Sequence, residues 1–149
     1  MNTTSLSFAT PSRGEQRLRN IAISDCAAFG TVAGSEASGT ALYDSDVDVW
    51  VDELKVPACM VRSERVHPLH IRCVHWTGVV VDIVQRPHEP PPKFLQCPDA
   101  AKRDLVVFWK HVAAQHGLLR KKGGLRSCCL YALCQAVVQP GAPLSVNVQ

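Results

Sequence analysis

The sequence predicts an α+β fold, a small mixed β-sheet with flanking helices followed by a short helical unit. Three observations carry this. The runs around Asp46–Val51, Val66–Val74 and Val79–Val84 are short, rich in β-branched residues and bounded by turn formers. Leu105, Phe108, Trp109 and Val112 recur at three- and four-residue steps, the spacing of one helix face. Between these regions stand Pro87, Pro90, Pro91, Pro92 and Pro98, a density that forbids helix and removes ladder donors.

In chain order, residues 1–20 read as a flexible start, overlapping a short amphipathic helix expected over Glu15–Ala28, with Leu18, Ile21 and Ala22 on its apolar side and a break at Ser24 and Asp25. Phe29–Ala33 reads as a brief strand that empties into a small-residue loop, Gly34-Ser35-Glu36-Ala37-Ser38-Gly39. In the next strand a period of two puts Asp46, Asp48 and Trp50 on one face and Val47, Val49 and Val51 on the other. Val66–Val74 and Val79–Val84 form a hairpin around Trp76, Thr77 and Gly78, and its second strand holds Asp82. Residues 87–98 are a stiff extended linker. Asp99–Leu119 is a helix with Gly117 near its end, Lys121–Gly124 a basic glycine-containing loop, and Ser127–Val138 a second helix, apolar nearly all round and therefore expected to be buried.

Composition narrows the class. The chain has 149 residues, 46% hydrophobic and 19% charged, enough for one globular core. Charged residues and histidines interrupt every apolar run well short of the roughly 18 residues that would span a bilayer, so no membrane partner is expected. The net charge of +3 is too small to argue for nucleic acid by itself. Its distribution says more: Arg13, Arg17 and Arg19 near the start and Arg120, Lys121, Lys122 and Arg126 near the end flank an acidic centre at Asp44, Asp46, Asp48, Asp52 and Glu53. Seven cysteines without a CxxC read as reduced core thiols, hence an intracellular, reducing compartment. Cytoplasm or nucleus fits. The Ser-, Thr- and Arg-rich start also resembles a mitochondrial transit peptide, which keeps that compartment open. The six histidines, with no cysteine pair to complete a zinc set, read as surface or hairpin residues.

Chemistry concentrates in the carboxylates. Asp46 and Asp48, projecting together from one strand, and Asp82 on another form a set able to hold two divalent ions about 3.5 to 4 Å apart, the arrangement of nucleotidyl transfer. Asp82 lies inside Val79-Val80-Val81-Asp82-Ile83-Val84, where an unpartnered carboxylate would carry a heavy desolvation cost. Gly34 and Gly39 permit close approach and unusual dihedrals, leaving amides and the Ser35 hydroxyl for phosphate oxygens. Neither a Walker A spacing nor GxGxxG is present.

Gly34-Ser35, Gly39 and then Ser45-Asp46-Val47-Asp48-Val49 resemble the signature of the DNA polymerase β-like nucleotidyltransferase superfamily. Lys110, Gly117 and Gly123-Gly124-Leu125-Arg126-Ser127 further resemble the central-domain segment of terminal uridylyltransferases and the related poly(A) polymerases. The resemblance covers about residues 21–138. It implies a nucleotidyltransferase palm over 21–86, the linker over 87–98 and a partial helical central domain over 99–149. It further implies Mg²⁺ or Mn²⁺ as cofactor, a nucleoside triphosphate and an RNA 3′ end as partners, and template-independent uridylyl or adenylyl transfer. In that scheme Asp46 and Asp48 bind both ions and Asp82 the one that activates the RNA hydroxyl, while Gly34, Ser35, Lys110 and Ser127 hold the triphosphate.

The sequence departs from the pattern in three places. The stretch after Asp48 is too short for the usual palm helix, Pro-rich sequence follows Asp82, and the chain ends soon after the first central-domain helices. A protein partner completing that domain is one expectation from this. Two rivals stay open: a nucleotidyltransferase with a non-RNA acceptor, and a catalytically inactive module that binds RNA or a partner.

Overall fold

A computed structural model describes residues 10–89, 99–119 and 127–137. Helix α1 (Arg13–Phe29) is followed by β1 (Thr31–Ala33), α2 (Gly34–Ser38), β2 (Val47–Val51), β3 (Met60–His67), β4 (His70–His75), β5 (Val80–Gln85), α3 (Ala100–Gln115) and α4 (Ser127–Val137). The strands make one mixed sheet in the order β1-β2-β5-β4-β3, parallel between β2 and β5 and antiparallel elsewhere. This is the expected α+β class.

Alternation decides which sheet face is dry. Val47, Val49 and Val51 of β2, Ile71 and Cys73 of β4 and Val81 and Ile83 of β5 are buried together with Cys26 of α1, and Ile23 and Phe29 of the same helix pack against them. Val47, Val49, Val81 and Ile83 are fully buried, each contributing about 1.5 to 3 kcal/mol. The residues between them in sequence, Asp48 and Trp50 on β2 and Arg72 on β4, project from the other face.

Several expectations need correction. Helix α1 begins at Arg13, so residues 13–20 of the stretch read as flexible are helical: Ser12 caps it, its hydroxyl accepting the Glu15 amide while the Glu15 carboxylate accepts the Ser12 amide. Ser24 and Asp25 do not break this helix, because its inner face buries Ala22 and Cys26 through that turn. The Gly34–Gly39 loop is mostly one helical turn, closed by Gly39 in the left-handed region at φ 72°.

The single strand expected over Val66–Val74 is two strands, β3 and β4, reversing at Pro68 and Leu69, where the Pro68 carbonyl accepts Nη1 of Arg65 at 2.9 Å. The hairpin of β4 and β5 does turn at Trp76–Gly78, with Gly78 at φ 89°. No helix lies between β2 and β3.

Asp99 caps α3, its side chain accepting the Ala101 amide at 2.8 Å. Leu105 and Val106 of α3 pack on Tyr131 and Cys134 of α4. Helix α4 is not buried all round: Leu133 is 57% exposed and Cys128 and Cys129 are exposed, since among the described residues α3 and the Ser38–Thr40 segment meet its other side. Those two cysteines are thus not core thiols, whereas Cys26, Cys73 and Cys134 are. Trp109 is 39% exposed and meets Phe108 edge to face. Residues 90–98 of the Pro-rich linker, the basic run Arg120–Lys122, Gly123, Gly124 and Arg126 lie outside the described residues.

Candidate active site

The site is built by strand register. Asp48 of β2 stands directly opposite Asp82 of β5, and Asp82 directly opposite Arg72 of β4, so the three side chains form a row on the face away from α1. Asp46 sits one residue ahead of β2, at the end of a loop held by Arg19. That arginine is only 5% exposed; its Nη1 donates to the carbonyls of Tyr43 (3.3 Å) and Ser45 (2.6 Å), and its Nε lies 3.5 Å from Glu36. Arg19 is therefore a strut beneath the Asp46 loop and not one of a basic flank open to phosphate.

Arg72 and His70 are the residues that sequence reasoning missed. Arg72 grips Asp82 with two bonds, Nε to Oδ1 and Nη2 to Oδ2, both 2.9 Å, and Nη2 also donates to Oδ2 of Asp46 at 3.2 Å. His70 Nε2 lies 2.7 Å from Oδ1 of Asp82. Nothing in the sequence says which partner a lone Arg in a strand will find. His70 read as a surface or hairpin histidine; it does lie in a hairpin strand, but nothing along the chain says that this strand sets it beside Asp82.

Electrostatics separates the carboxylates. Burial pushes Asp48 above the ordinary 3.8, and the neighbouring Asp82 and Asp46 push it further, against smaller opposing effects of His70 and Lys110. Asp82 is buried as well, which alone would raise it, but the hydrogen bonds from Arg72 and His70 outweigh burial and hold it below 3.8. Asp48 is thus the carboxylate whose charge is least compensated.

Gly34 lies against this group. Its φ is 61°, and a Cβ there would collide with Oδ2 of Asp48. Only glycine leaves that space. Ser35 follows in α2, and its hydroxyl has no hydrogen-bond partner among the described residues. Lys110 of α3 is 3% exposed; its Nζ donates to the Thr40 carbonyl at 2.8 Å, lies over the Tyr131 ring at 5.5 Å and acts electrostatically on Asp48. The Tyr131 hydroxyl hydrogen-bonds Thr40. Ser127 opens α4, but its side chain lies outside the described residues.

The donor set suits a hard divalent cation. Asp46, Asp48 and Asp82 offer carboxylate oxygens, the ligands that Mg²⁺ and Mn²⁺ prefer, and Asp48 is raised by burial first and by its carboxylate neighbours second. Among the described residues, however, the trio of His, Cys, Asp or Glu whose ligand atoms all lie within 4.8 Å of one another is Asp25, Cys59 and His75, on the opposite face. His75 there, at the hairpin end of β4, is fully buried, and its polar atoms are satisfied: Nδ1 accepts the Thr77 amide and Nε2 meets Asp25 at 2.9 Å.

Comparison with protein-family models and with curated proteins gives no match. Among solved structures, the polymerase core of TRAMP, an RNA surveillance complex, superposes with a TM-score of 0.60 at 19% identity, over 83% of this chain and 50% of that one. The chain thus spans half the length of that polymerase-core chain and shares its fold.

Proposed function

We propose that this chain is the palm and the first part of the central domain of a template-independent RNA 3′-terminal nucleotidyltransferase, moving a uridylyl or adenylyl group from a nucleoside triphosphate. The observation that carries the reading is the register that sets Asp48 directly beside Asp82 on neighbouring parallel strands, with Arg72 bonded to both Asp82 and Asp46 and the Cβ-less Gly34 against Asp48. The shared fold with a polymerase core supports it. We place the palm at residues 21–86, the linker at 87–98 and the helical segment at 99–149.

In this reading Asp46, Asp48 and Asp82 would hold Mg²⁺ or Mn²⁺. When bound, the ions would lower the pKa of the RNA 3′-hydroxyl and neutralise the departing pyrophosphate. Asp48 would orient that site from a rigid central strand, and Gly34 and Ser35 would receive the triphosphate on one side. Lys110 would supply a point charge from α3, with Ser127 beside it. Arg19 would hold the Asp46 loop in register.

A second reading, an inactive RNA- or partner-binding module, is favoured by one observation: both oxygens of Asp82 are already taken by Arg72 and His70. The deciding experiment is incorporation of labelled nucleotide onto a short single-stranded RNA with Mg²⁺ or Mn²⁺, offering each triphosphate in turn, beside an Asp46→Ala, Asp48→Ala control. Metal-dependent extension that the control loses supports the enzyme and reveals its base; no extension by a folded chain supports the module.

A further inference from the structure

Arg72 stands between two carboxylates. Register places Asp48, Asp82, Arg72 and Glu64 in one line across β2, β5, β4 and β3, each a direct partner of the next. Partners of this kind project from the same face with Cβ atoms about 5 Å apart. Arg72 engages Asp82 twice and Asp46 once, where a cation would otherwise sit. Glu64 waits on its other side, exposed on the edge strand. The Arg72 side chain is itself 33% exposed, so solvent reaches part of it. A guanidinium and a divalent ion cannot both neutralise the same carboxylate pair without repelling one another.

We propose that Arg72 is a resident counter-charge of the carboxylate site, displaced when a divalent ion occupies Asp82, and that Glu64 is the carboxylate that receives it. The inference rests on the nucleotidyltransferase reading and refines it. One ion enters beside Asp46 and Asp48 with Arg72 in place; a second enters only as Arg72 turns from Asp82 to Glu64. The edge strand β3 thereby becomes part of the ion-binding machinery although none of its residues is a ligand. Arg72 and Glu64 act here as positioning residues.

The test is Mn²⁺ binding to the full chain without nucleotide, followed by the electron paramagnetic resonance signal of free Mn²⁺. Wild type should bind one ion tightly and a second more weakly. Arg72→Gln should tighten the second by about tenfold and Glu64→Gln should weaken it severalfold, magnitudes ordinary for coupled sites. Equal second-ion affinity in wild type and a folded Arg72→Gln would overturn the inference while leaving the metal site standing. Should Arg72→Gln fail to fold, the exposed Glu64→Gln decides alone: weaker second-ion binding supports the exchange, and unchanged binding overturns it. If no Mn²⁺ binding is lost in Asp46→Asn with Asp48→Asn, the nucleotidyltransferase reading falls, and this inference with it.

Discussion

At the scale of the residue, Asp48 is held in place at a cost to stability. Its proton affinity is raised in the folded chain, so above that raised value the native state carries an ionised, under-compensated carboxylate that the unfolded chain solvates freely. Asp48→Asn should therefore raise the melting temperature of the metal-free protein at neutral pH. The gain should shrink as pH falls through the raised value and vanish below the ordinary 3.8, which thermal melts across pH would record. Under the proposed nucleotidyltransferase function, the same substitution should abolish nucleotide incorporation. Gly34→Ala acts on the same carboxylate from the other side. A positive φ costs an L-residue about 1 to 2 kcal/mol, and the added Cβ displaces the Asp48 carboxylate. Urea unfolding should show that loss, and Mn²⁺ titration should show weakened binding beyond it.

Elements are positioned by their ends. Helix α1 forms the floor of the sheet and carries Arg19, so its start bears on the Asp46 loop. Ser12 and Glu15 close a capping box, and the Ser12 bonds hold the Glu15 carboxyl below its usual range. Ser12→Ala should cost about 1 kcal/mol in urea unfolding. Hydrogen exchange should rise first in the opening turn of α1, leaving the Cys26 end protected; burial there pushes the Cys26 thiol to about 12, consistent with an inert core cysteine. Strand β3 behaves differently. From Val61 onward it is exposed on both faces, so it has no dry side to impose alternation. That is why its sequence carried no strand signal.

For the whole molecule, polar contacts help tie the sheet unit to the helical pair. Lys110 donates to the Thr40 carbonyl, and Tyr131 meets the hydroxyls of Thr40 and Ser38. Because Lys110 is buried, Lys110→Met keeps the stem but leaves a carbonyl without its charged donor, a loss on the order of 1.5 to 3 kcal/mol. Thermal melts should show the loss, and hydrogen exchange should localise it to α3 and α4. Under the proposed function, the variant should raise KM for the triphosphate in the incorporation assay more than it lowers kcat. No helix among the described residues is long and apolar enough to cross a membrane.

What the sequence determined by itself is whatever short-range periodicity encodes. Val47, Val49 and Val51 alternating with Asp48 and Trp50 fixed β2 and the wet face of its carboxylate; Leu105 and its helical neighbours fixed α3; and an Asp inside the apolar run of β5 announced a special position. The tertiary structure decided what depends on register between distant strands. Asp48 faces Asp82 because β2 and β5 pair in parallel, and Arg72 faces Asp82 because the chain turns at Pro68 rather than running on. Arg19 and His75 are likewise buried with partners, the Ser45 carbonyl and Asp25, that only the fold brings within reach. Such pairings are long-range and each involves one polar group, so they leave no repeating trace along the chain.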